Sequence, residues 1–134
     1  MQVQYHVLNF LGDGSGDYSS RAANALAVVL DESGPVVAKK FHDLLYENQP
    51  PEGGDGLSDA QLLDYAVEAG APRGAVEAGI KDRTFEQWVD DGTEQASKDK
   101  VNQTPTVKVD GKTLESSTID GLVSELEKAV ADGS

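Results

Sequence analysis

The chain has 134 residues, 38% of them hydrophobic, which is enough for one globular domain with a real core and argues against disorder. Its 24 acidic and 11 basic residues give a formal net charge of -13, which disfavours binding to nucleic acid and to anionic membrane surfaces. The sequence contains no cysteine, so disulfides, thiolate nucleophiles and cysteine-ligated metals are excluded for this chain.

The first predicted element is a strand over residues 3–11, VQYHVLNFL. This stretch mixes β-branched and aromatic residues over the length of a strand, and the loop sequence GDGSGD follows it.

No apolar run approaches the roughly 18 residues that a bilayer-spanning helix needs. The opening residues also lack the basic and apolar pattern of a signal peptide.

Two helices are predicted next, separated by a break. Ser19 or Ser20 is expected to cap the first one, whose apolar residues recur at helical spacing until Gly34 ends it. Pro35 then occupies the first position of the second helix, where a missing N–H costs nothing. Pro50 and the loop residues that follow it end this second helix.

Three further helices carry local signals at their ends. Ser58 and Gln61 form a capping-box pattern, and Gly70 is expected to end the helix that they begin. Pro72 opens a short helical segment. Thr84 and Gln87 repeat the capping-box pattern ahead of a helix that contains Trp88.

The last part of the chain is predicted to be a hairpin and a helix. In VNQTPTVKVDGK, residues 101–112, the alternation from Thr106 to Val109 is typical of a strand and Asp110-Gly111 of a tight turn. Lys112 to Leu114 gives the second strand. Thr118 then begins an amphipathic helix with apolar residues at 119, 122, 123, 126 and 130. A proline at the mouth of a strand, Pro105, is restricted to a strand start, an edge or a bulge.

This order of elements, together with VNQTPTVKVDGK, resembles the DsbA-like branch of the thioredoxin fold, in which helices are inserted into a thioredoxin core. The resemblance implies an α/β fold: one domain over residues 1–134, incomplete at its N-terminus, with a helical insertion at 19–100, a C-terminal β-hairpin and a final helix. It also implies that Pro105 is the cis-proline of this family. Thr104, Pro105 and Thr106 would then form the loop that borders the substrate groove.

The resemblance also identifies what the chain lacks. Family members carry Cys-x-x-Cys on a helix that precedes the segment matched here, and thiol-disulfide exchange has no substitute for a thiolate. We therefore expect a fragment of a DsbA-like disulfide oxidoreductase, redox-inactive in isolation and without a cofactor, from an extracytoplasmic parent. The alternative is a non-catalytic module that binds extended peptides or unfolded protein in the groove beside Thr104. A Cys-x-x-Cys encoded upstream of Gln2 would distinguish the two.

Pairing of the strands is a further expectation. In the thioredoxin core a further strand lies between the two strands that match Val3–Phe10 and Thr106–Val109. This chain lacks that middle strand, so one edge of each of the two flanking strands is left unpaired. Either the first segment moves in and pairs antiparallel with the second, or another copy of the chain supplies a strand in a homodimer.

Other constellations are weaker. Asp13, Ser15 and Asp17 are spaced like the start of a calcium loop, but the glycine and the final glutamate of such a loop are missing. His6 and His42 carry no metal-binding motif, and the serines near His6 lack a nucleophile elbow, so neither a metal site nor a hydrolase is favoured. Four aromatic residues are predicted to pack in the core rather than to line a pocket: Phe41, Tyr65, Phe85 and Trp88.

Overall fold

The computed structural model describes residues 2–10 and 17–133. In chain order they form helices α1 (Tyr18–Glu47), α2 (Asp59–Ala69), α3 (Arg73–Asp82) and α4 (Glu86–Lys98), strands β1 (Lys108–Val109) and β2 (Lys112–Thr113), and helix α5 (Ile119–Asp132). The chain divides into two compact units: Met1–Gln95, the helical unit, and Ala96–Ser134, the hairpin unit. The boundary between the two units falls within α4.

The predicted break at Gly34 lies inside α1. Gly34 has φ 78° and ψ 176°, which is not helical, and Pro35 follows it, so α1 consists of two helices joined at a kink. The beginning of α1 differs from the prediction. The helix starts at Tyr18, and Asp17 stands at the cap position without a side-chain capping bond, because its carboxylate is bound to two arginines instead.

Helix α2 follows its local sequence signals. The Ser58 hydroxyl accepts a hydrogen bond from the Gln61 backbone N–H at 3.2 Å, and the Gln61 side chain accepts one from the Ser58 N–H at 3.0 Å. This is the predicted capping box. Gly70 ends the helix with φ 115°, a left-handed conformation that glycine adopts without steric cost.

The strand predicted at residues 3–11 is not present in the part of the segment that the structure describes. Residues 2–9 have no regular secondary structure, and the sheet of the described residues contains only β1 and β2. The expected antiparallel pairing of Val3–Phe10 with the hairpin is therefore wrong for this structure. β-branched and aromatic residues favour a strand only when a neighbouring strand supplies the ladder, and the backbone N–H of Asn9 instead donates to Thr93 Oγ1 at 3.1 Å.

The core lies in the helical unit, where α1, α2 and α3 pack together. Its fully or nearly fully buried members are mostly small or branched apolar side chains, with one aromatic ring: Ala25, Val28, Val29, Ala38, Phe41, Leu57, Leu62, Leu63, Ala66, Ala69, Ala71, Val76 and Ile80. Phe41 is in the core as predicted, whereas Trp88 is 59% exposed. The predicted core position of Trp88 is thus wrong, because the buried side of α4 is occupied by the adjacent Val89.

One buried polar residue connects three helices. Asn24 on α1 is fully buried; its Nδ2 donates to the Gly79 carbonyl near the end of α3 at 3.2 Å, and its Oδ1 accepts from the Phe85 N–H before α4 at 2.8 Å. This long-range contact replaces the predicted capping box of Thr84 and Gln87: α4 begins at Glu86, and the Gln87 amide donates to Asp91. Both polar ends of the Asn24 side chain are therefore satisfied, as burial requires.

Arg21 holds the loop before α2 against α1. Its guanidinium donates to the carbonyls of Leu57 at 2.6 Å and Asp55 at 3.0 Å, and to the carboxylate of Asp17 at 2.7 Å. The side chain is only 11% exposed. A planar guanidinium spreads five donors over three nitrogens, whereas a lysine has three donors on a single nitrogen and could not reach all of these acceptors in the same way.

Asp17 provides a pH-dependent contribution to stability. Hydrogen bonds from Arg21 and then Arg83 lower the pKa of its carboxyl below the usual 3.8. A carboxyl with a lowered folded pKa stabilises the protein above its unfolded pKa, and this contribution is lost as pH falls through the folded pKa. We expect Asp17→Asn to lower the free energy of unfolding by about 0.5–1 kcal/mol at pH 7, since the carboxylate is half exposed.

Urea unfolding of wild type and Asp17→Asn between pH 7 and pH 2 measures this difference, which should shrink below pH 4. Asp64→Asn is the matched control, because Asp64 pairs with Arg73 at an exposed site. A difference for Asp17→Asn that stays constant down to pH 2 would show that the charge of Asp17 contributes nothing.

Candidate functional site

The hairpin unit is organised by the turn between its two strands. Asp110 and Gly111 have φ 50° and 78°, the pair of positive values that a two-residue turn of this hairpin class requires. Lys108 pairs with Thr113 and Val109 with Lys112. The hairpin prediction is confirmed, although each assigned strand contains only two residues.

This register brings together the segments that flank the hairpin. The Leu114 N–H donates to the Val107 carbonyl at 2.9 Å, which continues the antiparallel pairing one step beyond the strands. Residues before β1 and after β2 consequently lie at the same end of the hairpin. At that end the Thr104–Pro105 peptide bond is cis. The Thr106 hydroxyl donates to the Gln103 carbonyl at 2.7 Å, closing a tight loop around this bond.

The segment after β2 leads into α5 through a compact turn. The Ser116 hydroxyl accepts from the Thr118 N–H at 3.2 Å and donates to the Thr118 carbonyl at 2.9 Å. Thr118, predicted to begin the helix, caps α5 by accepting from the Gly121 N–H at 3.1 Å. A Cβ atom at Gly121 would collide with the Ser116 hydroxyl, so the close approach of this turn to α5 depends on glycine.

A groove of about 200 Å³ lies between these two segments. Its lining combines the proline loop, the hydroxyl-bearing turn and the first apolar residues of α5: Gln103, Thr104, Pro105, Ser116, Ser117, Thr118, Ile119 and Leu122. The hydroxyls of Ser116 and Thr118 are engaged within the turn. Within residues 2–10 and 17–133, neither the Ser117 hydroxyl nor the Gln103 side-chain amide makes a hydrogen bond, so both are available to a ligand.

The structure places two of the three predicted site residues in this groove. Thr104 and Pro105 line it, whereas the Thr106 side chain is directed to the Gln103 carbonyl and is not part of the lining. Sequence analysis missed the second wall, residues 116–119 and Leu122. The available signal was the hairpin itself, because an antiparallel pair with a known turn predicts which flanking residues meet.

The structure describes the other sites considered from sequence only in part. The described residues contain no cluster of three or more histidine and carboxylate side chains that could hold a metal ion. Two members of the calcium-loop pattern, Asp13 and Ser15, lie outside the described residues. The Ser20 hydroxyl accepts a hydrogen bond from Asn9 at 2.9 Å, and the His42 ring lies 5.6 Å from the ring of Tyr5.

Comparison with known proteins relates this arrangement to a family. The family model described as thioredoxin matches residues 2–128. The chain belongs to the thioredoxin family. No curated protein matches it.

Solved structures place this thioredoxin-family chain close to disulfide oxidoreductases of Mycobacterium tuberculosis. The reduced disulfide bond oxidoreductase DsbG is 34% identical with a TM-score of 0.75, and the match covers 96% of this chain and 61% of DsbG. Oxidised DsbA is 34% identical with a TM-score of 0.71, with 96% of this chain and 64% of DsbA covered. Reduced DsbA is 28% identical with a TM-score of 0.68, with 92% and 69% covered.

These matches confirm the sequence-based recognition of a DsbA-like thioredoxin fold. The chain has the lineage of disulfide oxidoreductases and contains no cysteine. It spans about three-fifths of the length of the first two solved relatives. Of the described helices, none combines the length and apolar character that crossing a membrane demands.

Proposed function

We propose that this chain provides the substrate-binding side of a DsbA-type disulfide oxidoreductase and has no redox activity of its own. The observation that carries the proposal is a groove beside Pro105 in a chain that has the lineage of disulfide oxidoreductases and contains no cysteine. A mixed disulfide with a substrate requires a protein thiolate, and no side chain present here can replace it. Any thiol chemistry must therefore come from another polypeptide segment.

The ligand that fits the groove is an extended stretch of polypeptide. Ser117 and Gln103 offer polar side-chain atoms for its backbone, and Ile119 and Leu122 offer apolar contact for its side chains. Contacts of this kind depend weakly on the sequence of the ligand, since main-chain groups recur at every residue. An unfolded protein substrate supplies such a segment, and the oxidoreductase lineage supports this choice.

A non-catalytic peptide-binding module is the second candidate function. It uses the same groove and the same contacts, and it is favoured by the free hydrogen-bonding groups of Ser117 and Gln103. The two candidates differ only in whether a redox-active segment works beside the groove. A Cys-x-x-Cys encoded upstream of Gln2 would support the first, and a gene without one would support the second.

The likeness to disulfide oxidoreductases also supports an extracytoplasmic location for this protein, because disulfides form and persist in oxidising compartments. We also propose a homodimer in which the backbone of residues 2–8 pairs with that of a second copy of the chain. The absence of ladder partners for residues 2–8 in the described structure supports it, while the net charge of -13 opposes self-association. Light scattering at several protein concentrations distinguishes monomer from dimer.

The isolated chain is expected to give no turnover in an insulin-reduction assay with dithiothreitol, because it has no sulfur that could form the mixed disulfide. The rate should equal that of buffer alone. A matched sample of a cysteine-containing thioredoxin serves as the positive control. Turnover that persists after removal of contaminating oxidoreductases would contradict this part of the proposal.

A further inference from the structure

A second concave surface lies in the helical unit, between the first half of α1 and the start of α4. It has a volume of about 120 Å³ and is lined by Ala27, Leu30, Asp31, Phe85 and Trp88. The α1 residues recur at spacings of three and four, and the α4 side contributes two residues three apart, so each helix presents one face. We call this surface the Trp88 pocket.

The walls of the Trp88 pocket are held in place from beneath. Asn24 accepts the Phe85 N–H, which fixes the start of α4 on α1, and Val89 is almost completely buried next to Trp88. The side chains that face outward are nevertheless unusually exposed for their size: Trp88 is 59% and Leu30 is 46% accessible. Exposed apolar side chains on a rigid, concave base are typical of a contact site.

The charge of the residues that line the Trp88 pocket favours a cationic ligand. Asp31 is the one charged residue of the lining, and within residues 2–10 and 17–133 it forms no ion pair or hydrogen bond. Asp31 is exposed to solvent, so an apolar ligand would gain nothing from its carboxylate. A cationic group is attracted electrostatically both to the Asp31 carboxylate and to the face of the Trp88 indole. The net charge of -13 attracts such a group from a distance.

The volume of the Trp88 pocket fits a single side chain rather than a whole ligand. A typical pocket for a small molecule has a volume of about 300–1,000 Å³, so 120 Å³ is too small for a whole ligand. An arginine side chain presents an apolar stem for Leu30 and a planar guanidinium that both stacks on an indole and pairs with a carboxylate. A lysine side chain carries the positive charge but has no planar group that could stack on the indole.

We propose that the Trp88 pocket is a docking site for an arginine side chain on an extended, basic segment of a partner protein. This inference concerns the helical unit alone and does not depend on the groove beside Pro105. The guanidinium stacks on Trp88 and pairs with Asp31, and the stem packs on Leu30. The interaction adds a recognition point that selects partners by charge.

The chain offers a direct signal for this test, because Trp88 is its only tryptophan. The probe is a blocked five-residue peptide with a central arginine between serines and terminal glycines. Two matched peptides replace arginine with citrulline, which has the same shape without the charge, or with leucine. Trp88 fluorescence is followed during titrations into the millimolar range, at low and high salt.

The expected result is a saturable change with the arginine peptide that weakens at high salt, and about fivefold weaker binding of the citrulline and leucine peptides. Asp31→Asn should weaken binding of the arginine peptide by about fivefold. Glu32→Gln is the matched control, since it removes the same charge from the neighbouring exposed residue outside the pocket, and it should change binding by less than about twofold.

Several outcomes would overturn the proposal. These are no saturable change, equal binding of the citrulline or leucine peptide, or equal losses for Asp31→Asn and Glu32→Gln, which would indicate nonspecific attraction to an acidic surface. A change in Trp88 fluorescence on dilution of the protein alone, with light scattering of a dimer, would assign the pocket to a second copy of the chain instead.

Discussion

Asn24→Ala is expected to lower the free energy of unfolding of the helical unit by about 3 kcal/mol. The substitution leaves the Phe85 N–H without its acceptor and removes one hydrogen bond of the Gly79 carbonyl, which still accepts the Thr84 N–H, and it opens a cavity at a fully buried position. Gly79 and Phe85 are half-buried where helices meet, so water can compensate for the lost bonds only in part. Urea unfolding followed by far-UV circular dichroism and Trp88 fluorescence measures the change.

Asn48→Ala is the matched control for this prediction. The Asn48 side chain also donates one hydrogen bond to a backbone carbonyl, that of Leu44 at 2.9 Å, but it does so at an exposed helix end. We expect a loss of less than about 1 kcal/mol there, because water replaces the bond. Equal losses for the two variants would show that Asn24 does not anchor α4 on α1.

The second large effect concerns the groove in the hairpin unit. Ser117→Phe is expected to weaken binding of an extended polypeptide at least about tenfold, because an aromatic ring would fill much of the 200 Å³ between the proline loop and α5. The ligand for this measurement is reduced and S-alkylated insulin B chain, which is unfolded and cannot undergo thiol chemistry. Isothermal titration calorimetry gives the affinity.

Ser124→Phe makes the same substitution at an exposed position of α5 outside the groove. It should change the affinity by less than about twofold, and circular dichroism should show both variants folded. If Ser117→Phe binds as tightly as wild type, the polypeptide does not occupy the groove beside Pro105.

Sequence patterns predicted the elements whose causes are local. Gly34 followed by Pro35 breaks α1, Ser58 with Gln61 caps α2, and Asp110-Gly111 forms the hairpin turn. In each case the backbone geometry is determined by residues within four positions of one another. These are the features that a periodicity and turn analysis can locate without knowledge of tertiary structure.

The features that could not be predicted depend on distant residues. A strand at residues 3–11 needs a neighbouring strand that β propensity cannot supply. The start of α4 is fixed by Asn24, 61 positions before Phe85, rather than by Thr84 and Gln87 nearby. The tertiary contact of Asn24 therefore determines where α4 starts, and the local capping-box pattern does not.

The groove beside Pro105 shows the same division. Thr104 and Pro105 were found from the family resemblance, but the opposite wall became visible only when the hairpin register placed residues 116–119 beside them. Trp88 was predicted to lie in the core because its spacing is helical. Spacing identifies a face of a helix, whereas the burial of that face depends on which neighbour packs against it.

The most direct test of the central claim is an amide chemical-shift titration of the ¹⁵N-labelled chain with S-alkylated insulin B chain. The account predicts saturable shift changes centred on residues 103–106 and 116–122, which surround the groove, together with no insulin reduction by the same sample. Saturable changes that are confined to other residues, or no saturable change at all, would contradict the proposal that this groove binds extended polypeptide.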